Sequence, residues 1–204
     1  MQVYCLVQRS RIDLTILPDF LNHLNSLPCR RCILVSSTVV YGSRERRVDA
    51  DSEVEPDSER AERQYRIEQL WRSHLANAHI VRLAGLYGPG RVIGRQTIRN
   101  GEAVRGNADA WLNLVHVDDA ASLVKQIASS DGAAEVELGC DGTPVKRKDY
   151  YGFLAESLNG PSPSFSGHGD RGRRCDNRLT IERTGWQPRY TDYRQAISAI
   201  LKEE

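Results

Sequence analysis

Apolar positions along this chain recur in two rhythms, and the switches between them mark its elements. Residues 2–8, QVYCLVQ, form a short β-branched and aromatic run that predicts a strand. Leu14, Leu17, Leu21 and Leu24 follow at helical spacing, predicting a helix over 13–27 with Asp13 as its N-cap. Ile33-Leu34-Val35 is continuously apolar, which predicts a strand at 32–37 covered by helices on both faces. After a polar loop at 43–57, a charged helix over 58–77 carries Ala61, Tyr65, Ile67, Leu70, Trp71 and Leu75 on its apolar side. A third strand, 79–83, runs into Gly85, Gly88, Pro89 and Gly90, which break the chain.

Strand, helix, strand, helix, strand at this spacing predicts βαβ units and a parallel sheet, hence an α/β fold. Beyond Gly90 the pattern loosens. It predicts a helix over 91–101, a strand at 114–117, and a helix over 118–130 opened by Asp118 and Asp119. A strand at 135–138, a helix over 146–158, a flexible loop at 160–172 and an amphipathic helix over 191–202 complete the reading. There is no internal repeat.

Composition narrows the function classes. With 204 residues, 40% of them apolar, the chain can bury the core of one α/β domain or of a domain with a small lobe. The net charge is +1, and the arginines are scattered among Asp and Glu, so no field favours nucleic acid or an anionic membrane. The densest basic stretch, GDRGRRCDNR, is diluted by aspartates and has no interleaved aromatic, which points away from nucleic acid. No run approaches the roughly 18 apolar residues of a membrane span, and no secretory signal is recognisable. A cytoplasmic location is the expectation. Five cysteines, at 5, 29, 32, 140 and 175, suit reduced thiols. Cys29 and Cys32 form a C-x-x-C, but the further ligands a zinc site needs, His168 and Cys175, are remote and unpatterned, so no metal is expected.

Four further stretches carry a resemblance. SSTVVYG after the buried strand, VRLAGLYGPGR, LVHVDDAA and RTGWQPRYTDYRQAI, in that order around the charged helix, resemble the extended and atypical short-chain dehydrogenases/reductases. The nearest group is the NAD-dependent epimerase/dehydratase-like proteins. The resemblance implies a Rossmann-type sheet binding NAD(P), a small C-terminal α/β lobe and, in many members, a nucleotide-sugar substrate. On that alignment residues 1–90, continued by about 114–140, form a partial Rossmann-type domain. Residues 91–113 and 141–204 supply the substrate lobe and the C-terminal helix. The implied cofactor wall is Leu6, Val7, Gln8, Ser36, Leu83 and Ala84, and the implied substrate contacts are Thr38, Tyr41, Gly85, Arg91 and Asn113.

The departures are as informative. The first strand matches the family's fourth; no G-x-x-G-x-x-G occurs, and about two βαβ units, roughly 60 residues, have no counterpart. Val7 and Gln8 stand where the family carries small residues against the dinucleotide. Aligning on Glu68 puts Arg60 at the position of the catalytic Tyr and Gln64 at that of its Lys, and no lysine precedes Lys125. Ser37 matches the catalytic hydroxyl, with Tyr65 as a substitute base only by slippage. A tyrosine with no neighbouring cation is a poor base at neutral pH. Gly85 and Leu112 stand where nucleotide-sugar enzymes carry Asn and Arg, which counts against a sugar-nucleotide diphosphate, and Trp111 reads as core. His116 and Asp118 read as a helix cap, while Arg91 and Arg95 could meet an anion.

Three readings follow: an NAD(P)-dependent enzyme acting on a sugar or nucleotide-sugar-like metabolite, an inactive binding or regulatory relative, or a fragment of a longer enzyme. NAD(P) binding is expected to be weak or absent. The first strand, with neither charge nor proline between its glutamines, is expected to leave an open edge that a second copy or another chain covers.

Overall fold

A computed structural model describes residues 3–7, 12–167, 169 and 171–203, with backbone alone for 3–5 and 7. In chain order the elements begin with β1 (Val3–Val7), α1 (Leu17–Asn25), β2 (Arg31–Ser37), β3 (Arg47–Val48), α2 (Glu59–His74), β4 (Ala78–Leu83) and β5 (Gly85–Tyr87). Next come α3 (Arg95–Arg99), β6 (Val104–Arg105), β7 (Trp111–Leu112), β8 (Leu114–His116), α4 (Val117–Ser129) and β9 (Val136–Gly139). The chain closes with β10 (Val145–Lys146), α5 (Arg147–Ser157), β11 (Phe165–Ser166), β12 (Arg174–Cys175), α6 (Arg178–Thr184) and α7 (Tyr193–Glu203). Among the described residues no helix is long and apolar enough to cross a membrane.

The principal sheet has the order β1-β2-β4-β9, and every pairing in it is parallel. Both faces are covered, which is why its strands read as continuous apolar runs. Leu34 and Ile80 face α1 and α2, packing against Leu17, Leu21, Leu24, Ile67 and Trp71. Ile33, Val81 and Leu138 face the other way, onto Ala120, Leu123 and Ile127 of α4. Trp71 is fully buried, and its indole Nε1 donates to the Cys32 carbonyl at 3.1 Å, tying α2 to β2. A third cluster, built by Tyr87, Ile98, Tyr150, Leu154, Tyr193 and Ile197, gathers the elements after Gly85.

Several boundaries differ from the sequence reading. The first helix starts at Leu17, not Asp13; the Asp13 carboxylate instead accepts from Thr15 N at 2.9 Å and Thr15 Oγ1 at 2.7 Å, closing a turn ahead of it. Pro18 occupies the first helical turn, where its missing N–H costs nothing. The helix predicted over 91–101 is only α3, because Gly94 is left-handed (φ 74) and a Cβ there would strike the Tyr151 ring at 2.3 Å. The loops at 43–57 and 160–172 contain β3 and β11, which pair in parallel with β12 and β6. Two-residue ladders leave no periodicity to read. Helix α6 was unforeseen: its seven residues include two threonines and an isoleucine, and only left-handed Gly185 at its end signals it.

Candidate ligand cleft

The carboxyl ends of β2 and β4 open into a cleft of about 1100 Å³. In open parallel sheets this is the edge at which ligands bind. Its floor is Ser36 and Ser37 of β2 with Leu83, Ala84 and Gly85 after β4, and the first turns of α2 present Arg60, Arg63 and Gln64 from one side. Trp111 to Asn113 form the facing wall, and Arg91, Arg147 and Arg173 reach the cleft from three separate segments.

Ser37 is a capping group. Its Oγ accepts from Val39 N at 3.3 Å and closes the single 3-10 turn Thr38–Tyr41. Ser36 belongs to a buried network. It accepts from Gln64 Nε2 at 3.0 Å and donates to Glu68 Oε1 at 2.5 Å. Glu68 is fully buried and paired with Arg82 at 2.7 Å, with further Nε contacts at 3.2 Å. Arg82 Nη1 also donates to the Tyr41 hydroxyl at 3.0 Å, and that hydroxyl donates onward to the Asp49 carbonyl at 2.7 Å. The sequence reading passed over Arg82. The available signal was an arginine inside the apolar run AHIVRL, which cannot be buried without a carboxylate.

Several site assignments change. Tyr41 is no substrate contact: it is wholly buried, and burial pushes its hydroxyl up to about 12 against the pull of Arg82. Leu6 packs with the α1/α2 cluster and does not line the cleft. Val7 pairs through its backbone with Val35, and Gln8 lies outside the described residues. Tyr65 lines a separate hollow of about 490 Å³ with Arg72 and Glu135, so the structure does not bring it to Ser37. Asn113 lines the cleft, but its amide is committed: Nδ2 donates to Arg173 O at 2.9 Å, and Oδ1 accepts from Cys175 N at 2.7 Å. At Gly85 a Cβ would approach Asn113 O to 3.0 Å, so glycine lets β5 lie close to β8. Trp111 is half-buried on the cleft wall rather than in the core, with Lys146 Nζ 3.6 Å from its ring centre. His116 Nδ1 accepts from Asp118 N at 3.2 Å and caps α4.

The cleft's arginines bond chiefly to oxygens that carry no charge. Arg91 Nε donates to Leu86 O at 3.1 Å and Arg147 Nη2 to Arg105 O at 2.6 Å. Arg173 donates to Gly42 O at 2.5 Å and Thr38 Oγ1 at 3.2 Å. Burial pulls the Arg173 pKa down, opposed by Cys175 and Asp57, while Asp57 itself is held by Ser43 N and Oγ, both at 2.5 Å. None of the three has an ion-pair partner among the described residues. An arginine without a carboxylate beside a cavity is a ready receptor for phosphate or carboxylate.

No protein-family model matches the sequence, and no curated protein does either. Solved structures do. A conserved protein of unknown function from Silicibacter pomeroyi superposes with TM-score 0.76 at 22% identity, over 98% of this chain and 77% of that one. A Methylobacillus flagellatus protein assigned to the NAD-dependent epimerases/dehydratases gives TM-score 0.75 at 26% identity, over 92% of this chain and 69% of that one. MoeE5, solved with UDP-glucose and NAD, gives TM-score 0.78 at 20% identity, over 92% and 69%. The fold is that of the extended short-chain dehydrogenases/reductases.

That fold implies NAD(P), and the residues present can be tested against it. In short-chain dehydrogenases/reductases a Tyr–Lys pair serves proton transfer and holds the nicotinamide ribose. On the alignment anchored at Glu68 these positions fall on Arg60 and Gln64, and Gln64 donates its amide to Ser36 at 3.0 Å. Ser36, Leu83 and Ala84 do line the cleft. The polar groups facing them do not fit nicotinamide-dependent proton transfer.

Proposed function

We propose that this chain is a ligand-binding relative of the nucleotide-sugar epimerases and dehydratases. It takes an anionic sugar metabolite, a sugar phosphate or nucleotide sugar, in the cleft without the Tyr–Lys chemistry of those enzymes. One observation carries the reading: Arg91, Arg147 and Arg173 line the cleft with no ion-pair partner among the described residues, bonding chiefly to carbonyl and hydroxyl oxygens. They offset the loss of arginine at Leu112. Trp111 adds an aromatic edge to the same wall.

Isothermal titration with UDP-glucose, UDP-glucuronic acid, glucose 1-phosphate and NAD tests it. At least one sugar phosphate or nucleotide sugar should bind more tightly than NAD. Arg91→Ala and Arg147→Ala should each weaken that binding roughly tenfold or more, the value of one charge-assisted hydrogen bond. Equal affinity in both variants, or no binding by any sugar ligand, would remove the proposal. The second reading, an NAD-dependent enzyme, is favoured by the likeness to MoeE5, which was solved with NAD. Tight NAD binding in the same titration would select it.

A further inference from the structure

The C-x-x-C motif is untouched by any of this, lying at the amino end of β2, opposite the cleft. The two sulfurs are 3.5 Å apart, with the Cys32 S–H donating to Cys29 Sγ. Cys32 is anchored in β2 and only 3% exposed, while Cys29 sits half-buried in the loop before it. The Asn77 side chain holds the Cys29 carbonyl at 2.5 Å, and the Asn77 carbonyl accepts from Cys32 N at 2.9 Å, fixing the segment from both sides. Burial and the bond to Cys29 push the Cys32 thiol up to about 12. One sulfur is thus accessible and the other is held in reserve against it. Pairs so arranged exchange with disulfides through an attacking and a resolving thiol.

We propose that Cys29 and Cys32 form a thiol–disulfide exchange site whose co-substrates are low-molecular-weight disulfides such as oxidised glutathione. Cys29, as thiolate, attacks one sulfur of the disulfide RSSR, forming a Cys29–SR bond and expelling RS⁻, which takes up the proton Cys29 lost. Cys32 then loses its proton and attacks Cys29 Sγ, expelling the second RS⁻, which is protonated in turn. The protein dithiol is oxidised by two electrons, and one RSSR is reduced to two RSH. Arg30 and Arg31, between the cysteines, both pair with Asp131, two cations against one carboxylate, Arg31 at 3.6 Å. The second step needs the sulfurs to close from 3.5 Å to bonding distance, a movement available to the loop side of the pair.

The test equilibrates the reduced, folded full chain with glutathione at graded ratios of reduced to oxidised form, quenches with N-ethylmaleimide, and reads intact mass and tryptic peptides. Trypsin cuts after Arg30 and Arg31, so a Cys29–Cys32 bond joins two peptides that are otherwise separate. Oxidation should remove two alkylatable thiols and yield that joined pair, while Cys140 and Cys175, 1% and 3% exposed, stay reduced. Cys32→Ser should stop at one glutathione on Cys29, and Cys29→Ser should take none at Cys32. The proposal is overturned if both thiols of the wild type remain alkylatable at every ratio, or if the bond forms between other cysteines. The wild-type peptide map decides this even if a variant fails to fold.

Discussion

Asp141 shows what a single buried group does to this molecule. It is 3% exposed; its Oδ1 accepts from Thr143 N at 2.9 Å, while Oδ2 has no partner among the described residues. Burial, with Asp119 nearby, raises its pKa from 3.8 to about 7. A carboxyl raised on folding binds its proton more tightly in the native state, so the stabilisation is fully present below about 3.8 and is lost as pH rises through about 7. Asp141→Asn, which carries no charge at any pH, should therefore unfold at higher urea than wild type at pH 8, with the two curves converging toward pH 4. At 1.36 kcal/mol per pKa unit the gap is bounded at roughly 4 kcal/mol. Parallel pH profiles for the two proteins would contradict this account. The residue was legible in the sequence only as a polar position before Gly142, because nothing local shows which carboxyl loses its water.

At the scale of elements, long periodic segments were legible and tertiary pairings were not. Strands β1, β2, β4 and β9 and helices α2, α4 and α7 stand where apolar spacing put them, since one helix face or two sheet faces must be buried. The short ladders β3–β12 and β6–β11 escaped, because a two-residue strand is chosen by what it meets across the fold. Much the same holds for the cleft: Ser36, Ser37, Leu83 and Gly85 were reached through the family resemblance, whereas Arg147 and Arg173 arrive from segments distant in sequence and were missed. The Glu68–Arg82 pair is the bolt between α2 and β4, and it also holds Ser36 and Tyr41. Either charge alone would be buried without a counterion. Glu68→Gln and Arg82→Leu should each cost roughly 3–5 kcal/mol in urea unfolding, and Glu68→Leu with Arg82→Leu much less than the sum. An additive double variant would mean the two side chains do not stabilise the fold as a pair.

For the whole molecule the open question is the β1 edge. Strand β1 pairs with β2 on one side and with no strand on the other, among the described residues. Its sequence, VYCLV, offers none of the charges or prolines with which exposed edges are blunted. At the start of α1 two large apolar side chains face solvent one helical turn apart, the N-cap residue Ile16 at 63% and Phe20 at 47% exposure. An unblunted edge and an exposed apolar pair on a helix favour a second copy of the chain, because each copy offers the same donors, acceptors and apolar area. We expect self-association that rises with concentration in multi-angle light scattering. Val3→Lys should weaken it by placing a charge on the edge, and Phe20→Glu by charging the helix face, both without lowering the unfolding midpoint. If the wild type stays monomeric at high concentration and unfolds cooperatively, neither the edge nor the helix face is an interface, and β1 must be shielded within its own chain.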